Sequence, residues 1–171
     1  MPLVLIFIIS IIIANLLTTY FAAEFPQITA VNAFIFIGLD LSIRDKLHEN
    51  WNGKKLKRNM FFLIVCGAVA TFLLNTAALW VCVGSVVAFS AALIVDSVLY
   101  HKYYNLSFLK KSNISNVGGA ISDSFFFVII ALHFLPIQTQ FKIIFLNIAA
   151  KVAGGALWSV ILNNPAGKSK L

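Results

Sequence analysis

Charge is scarce in this sequence, and acidic charge is the scarcest: 6 Asp and Glu stand against 13 Lys and Arg in 171 residues. Charged residues make up 11% of the chain and hydrophobic ones 60%, with a mean hydropathy of +0.92. A soluble domain carries roughly a quarter charged residues, so a soluble globular class is excluded. Cysteine is nearly absent. Cys66 and Cys82 lie alone inside apolar runs, without the spacing of a zinc site or a disulfide framework, and read as small core residues. No HExxH, GxSxG or Walker sequence occurs, which removes the visible signatures of metalloprotease, serine hydrolase and ATPase chemistry. Nor do the aspartates sit in the Tyr-Asp and Gly-x-Gly-Asp contexts of an intramembrane protease. No catalytic residue, metal site or cofactor is expected. The amino terminus lacks a basic leader, and its apolar run from Pro2 to Phe21 exceeds a signal-peptide core; a retained first helix is expected.

What remains is a succession of apolar runs. A spanning helix needs about 20 apolar residues, and six segments come close: Leu3 to Phe21, Ile28 to Ile43, two within the uncharged stretch from Met60 to Val95, the segment from Ser112 to Pro136, and Phe141 to Leu162. The stretch from Met60 to Val95 is too long for one helix, and Asn75 to Leu79 is its expected turn. LPIQTQ, led by Pro136, is expected as a short polar turn before the last helix. The expected fold is all-α: one polytopic membrane domain over residues 1–171, a six-helix transmembrane bundle. The net charge of +7 does not point to nucleic acid, because the basic residues fall in the gaps between apolar runs. Arg44, Lys46, Lys54, Lys55, Lys57 and Arg58 lie in one such gap, Lys102, Lys110 and Lys111 in a second, and Lys168 and Lys170 in the tail. In a six-helix chain all three fall on one side, which makes both termini cytoplasmic by the positive-inside rule.

Polar residues inside the apolar segments are the candidate site. A carboxylate near mid-membrane is costly unless it is paired or faces a cavity. Helical spacing places Asn116, Gly119 and Asp123 on one face of the fifth segment, and Asn147, Lys151, Gly154 and Trp158 on one face of the sixth. Asn32, Phe36 and Asp40 share a face of the second; Ser85, Phe89, Ala92 and Asp96 share one of the fourth. Asp123 and Lys151 reach similar depth on helices of opposite direction, so a pairing is expected in which each charge offsets the other's desolvation. The Gly118-Gly119 pair fits close helix packing better than a ligand slot. His48, His101 and His133 fall at helix ends and in loops, too shallow for a proton relay.

Several segments, in order, resemble the VUT family of queuosine-precursor transporters of bacterial inner membranes. They are AFIFIGLDLSIRDKLHEN, AFSAALIVDSVLYHKYYN, SNISNVGGAISDSFFFVIIA and FLNIAAKVAGGALWSVILN, with Asn15 in IIIANLL similar to the family's first-helix Asn. The resemblance implies uptake of a 7-deazaguanine (the 7-cyano or 7-aminomethyl compound, or queuine) through a central polar cavity, with roles for Asp40, Asp96, Asn116, Asp123 and Lys151. Asn32 and Asn147 complete the candidate substrate-binding set. Asn147 stands where members often carry an acid, which bears on substrate choice. The implied partners are the solute and the lipid bilayer; homo-oligomerisation is left open. Two other classes compete: a substrate-binding membrane subunit of a vitamin uptake system driven by a partner ATPase, and a membrane scaffold whose buried charges are structural.

Overall fold

In the computed structural model, residues 2–40, 43, 47, 56–103, 105 and 108–163 are described. Among them there is no strand, and they form six helices. Helix α1 covers Pro2–Phe21; α2 covers Ile28–Asp40; α3 is Leu56–Leu74, α4 Leu79–Lys102, α5 Phe108–Ala131 and α6 Ile137–Asn163. Among the described residues three segments are long and apolar enough to cross a bilayer: Pro2–Phe21, Thr76–Val95 and Ile137–Leu162. Ile28–Asp40, Arg58–Leu74 and Val117–Ala131 are shorter apolar helices.

The expected turn between α3 and α4 forms where the sequence placed it. A 3-10 turn spans Thr76–Ala78, and the Asn75 side chain accepts the Ala77 N–H at 3.0 Å, capping an otherwise open donor. LPIQTQ is different. It is not a turn of its own but the entry to α6, which starts directly after Pro136. Proline, lacking an N–H, suits a helix start, the N–H groups of Thr139 and Gln140 close onto the Pro136 carbonyl, and the Gln140 side chain donates to the Leu135 carbonyl at 2.9 Å.

The helices close into a ring in the order α1, α2, α6, α5, α4, α3, with the most extensive packing between α4 and α5. Two apolar clusters define its ends. Ala22, Val81, Val128, Leu132, Ile143 and Ile144 gather the end of α1, the start of α4, the end of α5 and the start of α6. Phe7, Ile11, Ile43, Leu47, Met60 and Ile64 gather the start of α1, the residues beyond α2 and the start of α3, with Leu162 from the end of α6 against them. Starts meet ends in both clusters, so successive helices run alternately up and down.

The outside of the ring is apolar: Leu73, Phe145 and Val160 are each more than 70% exposed, with Leu5, Ile9, Ile94 and Val98 among many others above half. The inside holds Asn15, Asn32, Asp40, Ser124, Asn147 and Lys151, all buried. Such a distribution is unstable in water and suited to lipid, where the outer face needs no polar groups and the inner polar groups find each other. The molecule is an all-helical protein with the surface of a helical membrane protein.

Close approach of α2 and α6 is made possible by glycine. A Cβ added to Gly154 would lie 2.1 Å from the Phe34 carbonyl oxygen, and one added to Gly38 would lie 2.6 Å from the Gly154 carbonyl carbon. The two backbones therefore touch, as small residues allow in membrane helices.

Candidate functional site

Between the two apolar clusters lies a cavity of about 120 Å³ to which all six helices contribute. An engineered cavity of roughly 150 Å³ holds benzene, so this space suits a compact ring solute and not a large one.

Its polar wall is built mainly from α1, α2 and α6. Along α2, Thr29, Asn32, Ala33, Ile37 and Asp40 line the cavity. At about 100° per residue, Asn32 and Asp40 would sit some 80° apart on a regular helix. The chain inserts a π-turn at Ala33–Ile37, where the Gly38 N–H reaches the Ala33 carbonyl five residues back. One extra residue in the turn reduces the eight-residue step to the rotation of about seven, roughly 20° short of two full turns. Asn32 and Asp40 then share one line. The same insertion corrects the expected face: Ile37 lines the cavity and Phe36 does not.

The hydrogen bonds tie the amides to neighbouring helices. Asn32 Nδ2 donates to the Ala14 carbonyl at 3.1 Å and to Thr18 Oγ1 at 3.1 Å. A carbonyl can only accept, so the nitrogen must be the atom facing α1 and the Asn32 oxygen the atom left over. Asn15 Oδ1 accepts from Ser85 Oγ on α4 at 2.8 Å. Asn147 Oδ1 accepts from Thr29 Oγ1 at 3.2 Å, tying α6 to α2. On the other side of the cavity Lys151 Nζ donates to Asp123 Oδ2 and to Ser124 Oγ at 2.9 Å. Lys151 is 4% exposed, and the Asp123 side chain is 23% exposed; the ammonium is the deeper member of the pair.

After these bonds are counted, three cavity-lining residues keep a buried polar atom without a partner among the described residues: Asn15 Nδ2, Asn32 Oδ1 and Asp40 Oδ1. Most buried polar groups in proteins are satisfied, so each open atom calls for an occupant or an explanation.

Of the sequence-derived candidates, Asn32, Asp40, Asp123, Asn147 and Lys151 converge on the cavity. The side chains of Asp96 and Asn116 lie outside the described residues. The glycine pair divides its work: Gly119 lines the cavity, whereas Gly118 faces Leu99 on α4. Ser85 and Asn15, already singled out in the fourth and first segments, line the cavity together with Thr18 and Thr29, which were not, and Ser124 holds Lys151. The signal of Thr18 and Thr29 was present as i, i+3 polar pairs, Asn15 with Thr18 and Thr29 with Asn32, near helix ends where polar residues also serve as interfacial anchors.

The site is thus a polar cavity of about 120 Å³ enclosed by a helical ring whose outer surface suits lipid. Comparison with protein-family models, with curated proteins and with solved structures returns no match to this chain.

Proposed function

We propose that this protein imports a 7-deazaguanine precursor of queuosine across the bacterial cytoplasmic membrane, through six spanning helices with both termini in the cytoplasm. The observation that carries the reading is the set of open buried polar atoms on Asn15, Asn32 and Asp40 inside a cavity of about 120 Å³. A deazaguanine offers N–H donors and a carbonyl on a flat ring, and Phe89 and Phe127 on the cavity wall provide faces against which a ring can stack. The order of the family-like segments supports the same solute. The apolar clusters above and below the cavity suit a carrier that exposes its site to one side at a time, and no covalent step is involved.

Two measurements test this. In a cell lacking both precursor synthesis and its own importer, expressing this chain should restore queuosine in tRNA at low external precursor. Well-expressed protein that rescues with neither the cyano, the aminomethyl nor the queuine form would overturn the assignment, and copurification with an ATPase together with vitamin binding would move it to a vitamin-uptake subunit. For topology, Gly53→Cys should be protected from an impermeant external thiol reagent and Gln138→Cys should react. The opposite pattern would reverse the orientation that the basic connections imply.

A further inference from the structure

The cavity holds two kinds of polar group, and they differ in readiness. Asp123 Oδ2, Lys151 and Ser124 already bond one another, so a solute docking on those atoms competes with a buried ion pair. Asn15 and Asn32 are in the opposite state. Each is held by one end of its amide, Asn15 through its oxygen to Ser85 and Asn32 through its nitrogen to Ala14 and Thr18, while the other end is buried and open. The residues are 4% and 3% exposed, and both line the cavity. They are also neighbours, because Asn32 bonds the carbonyl of Ala14, the residue adjoining Asn15. In this structure one presents an N–H and the other a C=O: the Ala14 carbonyl, which can only accept, sets the Asn32 amide, and the Ser85 hydroxyl bonds the Asn15 oxygen.

We infer that Asn15 and Asn32 together read a lactam edge, the adjacent ring C=O and N–H of an oxo-purine-like or oxo-pyrimidine-like solute. The solute's carbonyl accepts from Asn15 Nδ2 and its ring N–H donates to Asn32 Oδ1. An amidine edge, as in adenine, presents a ring nitrogen acceptor and an amino donor in the reverse order, and meets like with like at both amides. Phe89 lies one turn beyond Ser85 on α4 and lines the same cavity, which places a ring face near the amide pair. Solute binding here satisfies atoms that the empty protein leaves open, and the Asp123–Lys151 pair stays intact. The inference rests on reading the cavity as the solute site; it specifies which groups set its selectivity.

The test uses the full-length protein in lipid nanodiscs, with binding followed by calorimetry and melting shift. The probes are 7-cyano-7-deazaguanine, hypoxanthine, 1-methylhypoxanthine and adenine. Wild type should bind hypoxanthine at least about tenfold more tightly than its N1-methylated form or adenine, the loss expected when a buried acceptor is left unpaired. In Asn32→Leu and Asn15→Leu that ratio should fall toward one, while Gly118→Ala, whose new Cβ meets Leu99 outside the cavity, should keep it. The ligand-side comparison needs only wild-type protein and stands if either leucine variant fails to fold. Equal binding of the methylated and parent lactams, or leucine variants that keep the wild-type ratio, would overturn the inference while leaving the importer reading in place. Selective binding of hypoxanthine without 7-cyano-7-deazaguanine would do the reverse. A wild type that binds no lactam overturns both.

Discussion

Asp123→Asn should destabilise the folded protein by about 3–5 kcal/mol, a drop on the order of 10 °C in melting temperature for a chain of this size. The cost arises because Lys151, 4% exposed, keeps its ammonium among apolar helices with only neutral partners to compensate, the new amide and the Ser124 hydroxyl at 2.9 Å. Lys151→Met should cost less. The Asp123 side chain is 23% exposed, lines the cavity, and can be met there by water. The double variant Asp123→Asn, Lys151→Met should recover most of the loss, since replacing both members of a buried pair is far milder than orphaning one. Thermal melts of the four proteins give the coupling directly. Additive single effects, or a lysine variant worse than the aspartate variant, would remove both the coupling and its proposed asymmetry.

How far the sequence anticipates this arrangement depends on which physical rule each residue obeys. The helices were legible because apolar run length and Lys and Arg placement are local quantities: α1, the Asn75 cap and the boundaries of α4 need nothing from the rest of the fold. Asp123 and Lys151 were legible together because two buried charges of opposite sign at matching depth have few other ways of avoiding a large desolvation cost. The face of α2 was not legible. AFIFI carries no mark of a π-turn, and a constant 100° per residue puts Phe36 where Ile37 stands. LPIQTQ read as a loop because Pro136, Gln138 and Gln140 are polar or helix-breaking in isolation; that they begin a helix depends on Gln140 reaching back to Leu135. Asn15 and Thr29 were underweighted for a related reason. Near a helix end a polar residue can face water, and only the ring of neighbours turns it inward.

The glycines make the last case, where composition names the residue and geometry decides its effect. Gly118→Ala and Gly154→Ala are the same change on neighbouring helices, and each new Cβ would arrive 2.1 Å from another atom. At Gly118 that atom is the terminal Cδ1 of Leu99, a methyl group that can swing to another rotamer, so the change should cost well under about 1 kcal/mol. At Gly154 it is the carbonyl oxygen of Phe34, with that residue's carbonyl carbon and Cα both at 2.9 Å. No side-chain rotation relieves a backbone clash. Helix α6 must move away from α2, at an expected cost of about 1–3 kcal/mol or more. The displacement also acts on the site, because α2 carries Asn32 and Asp40, α6 carries Asn147 and Lys151, and the Thr29–Asn147 hydrogen bond at 3.2 Å spans the same joint. Gly154→Ala should therefore weaken solute binding even below its melting transition, whereas Gly118→Ala should bind as wild type does. Parallel melting and binding measurements on the two variants decide it: equal, small effects would mean that α2 and α6 do not depend on backbone contact at this crossing.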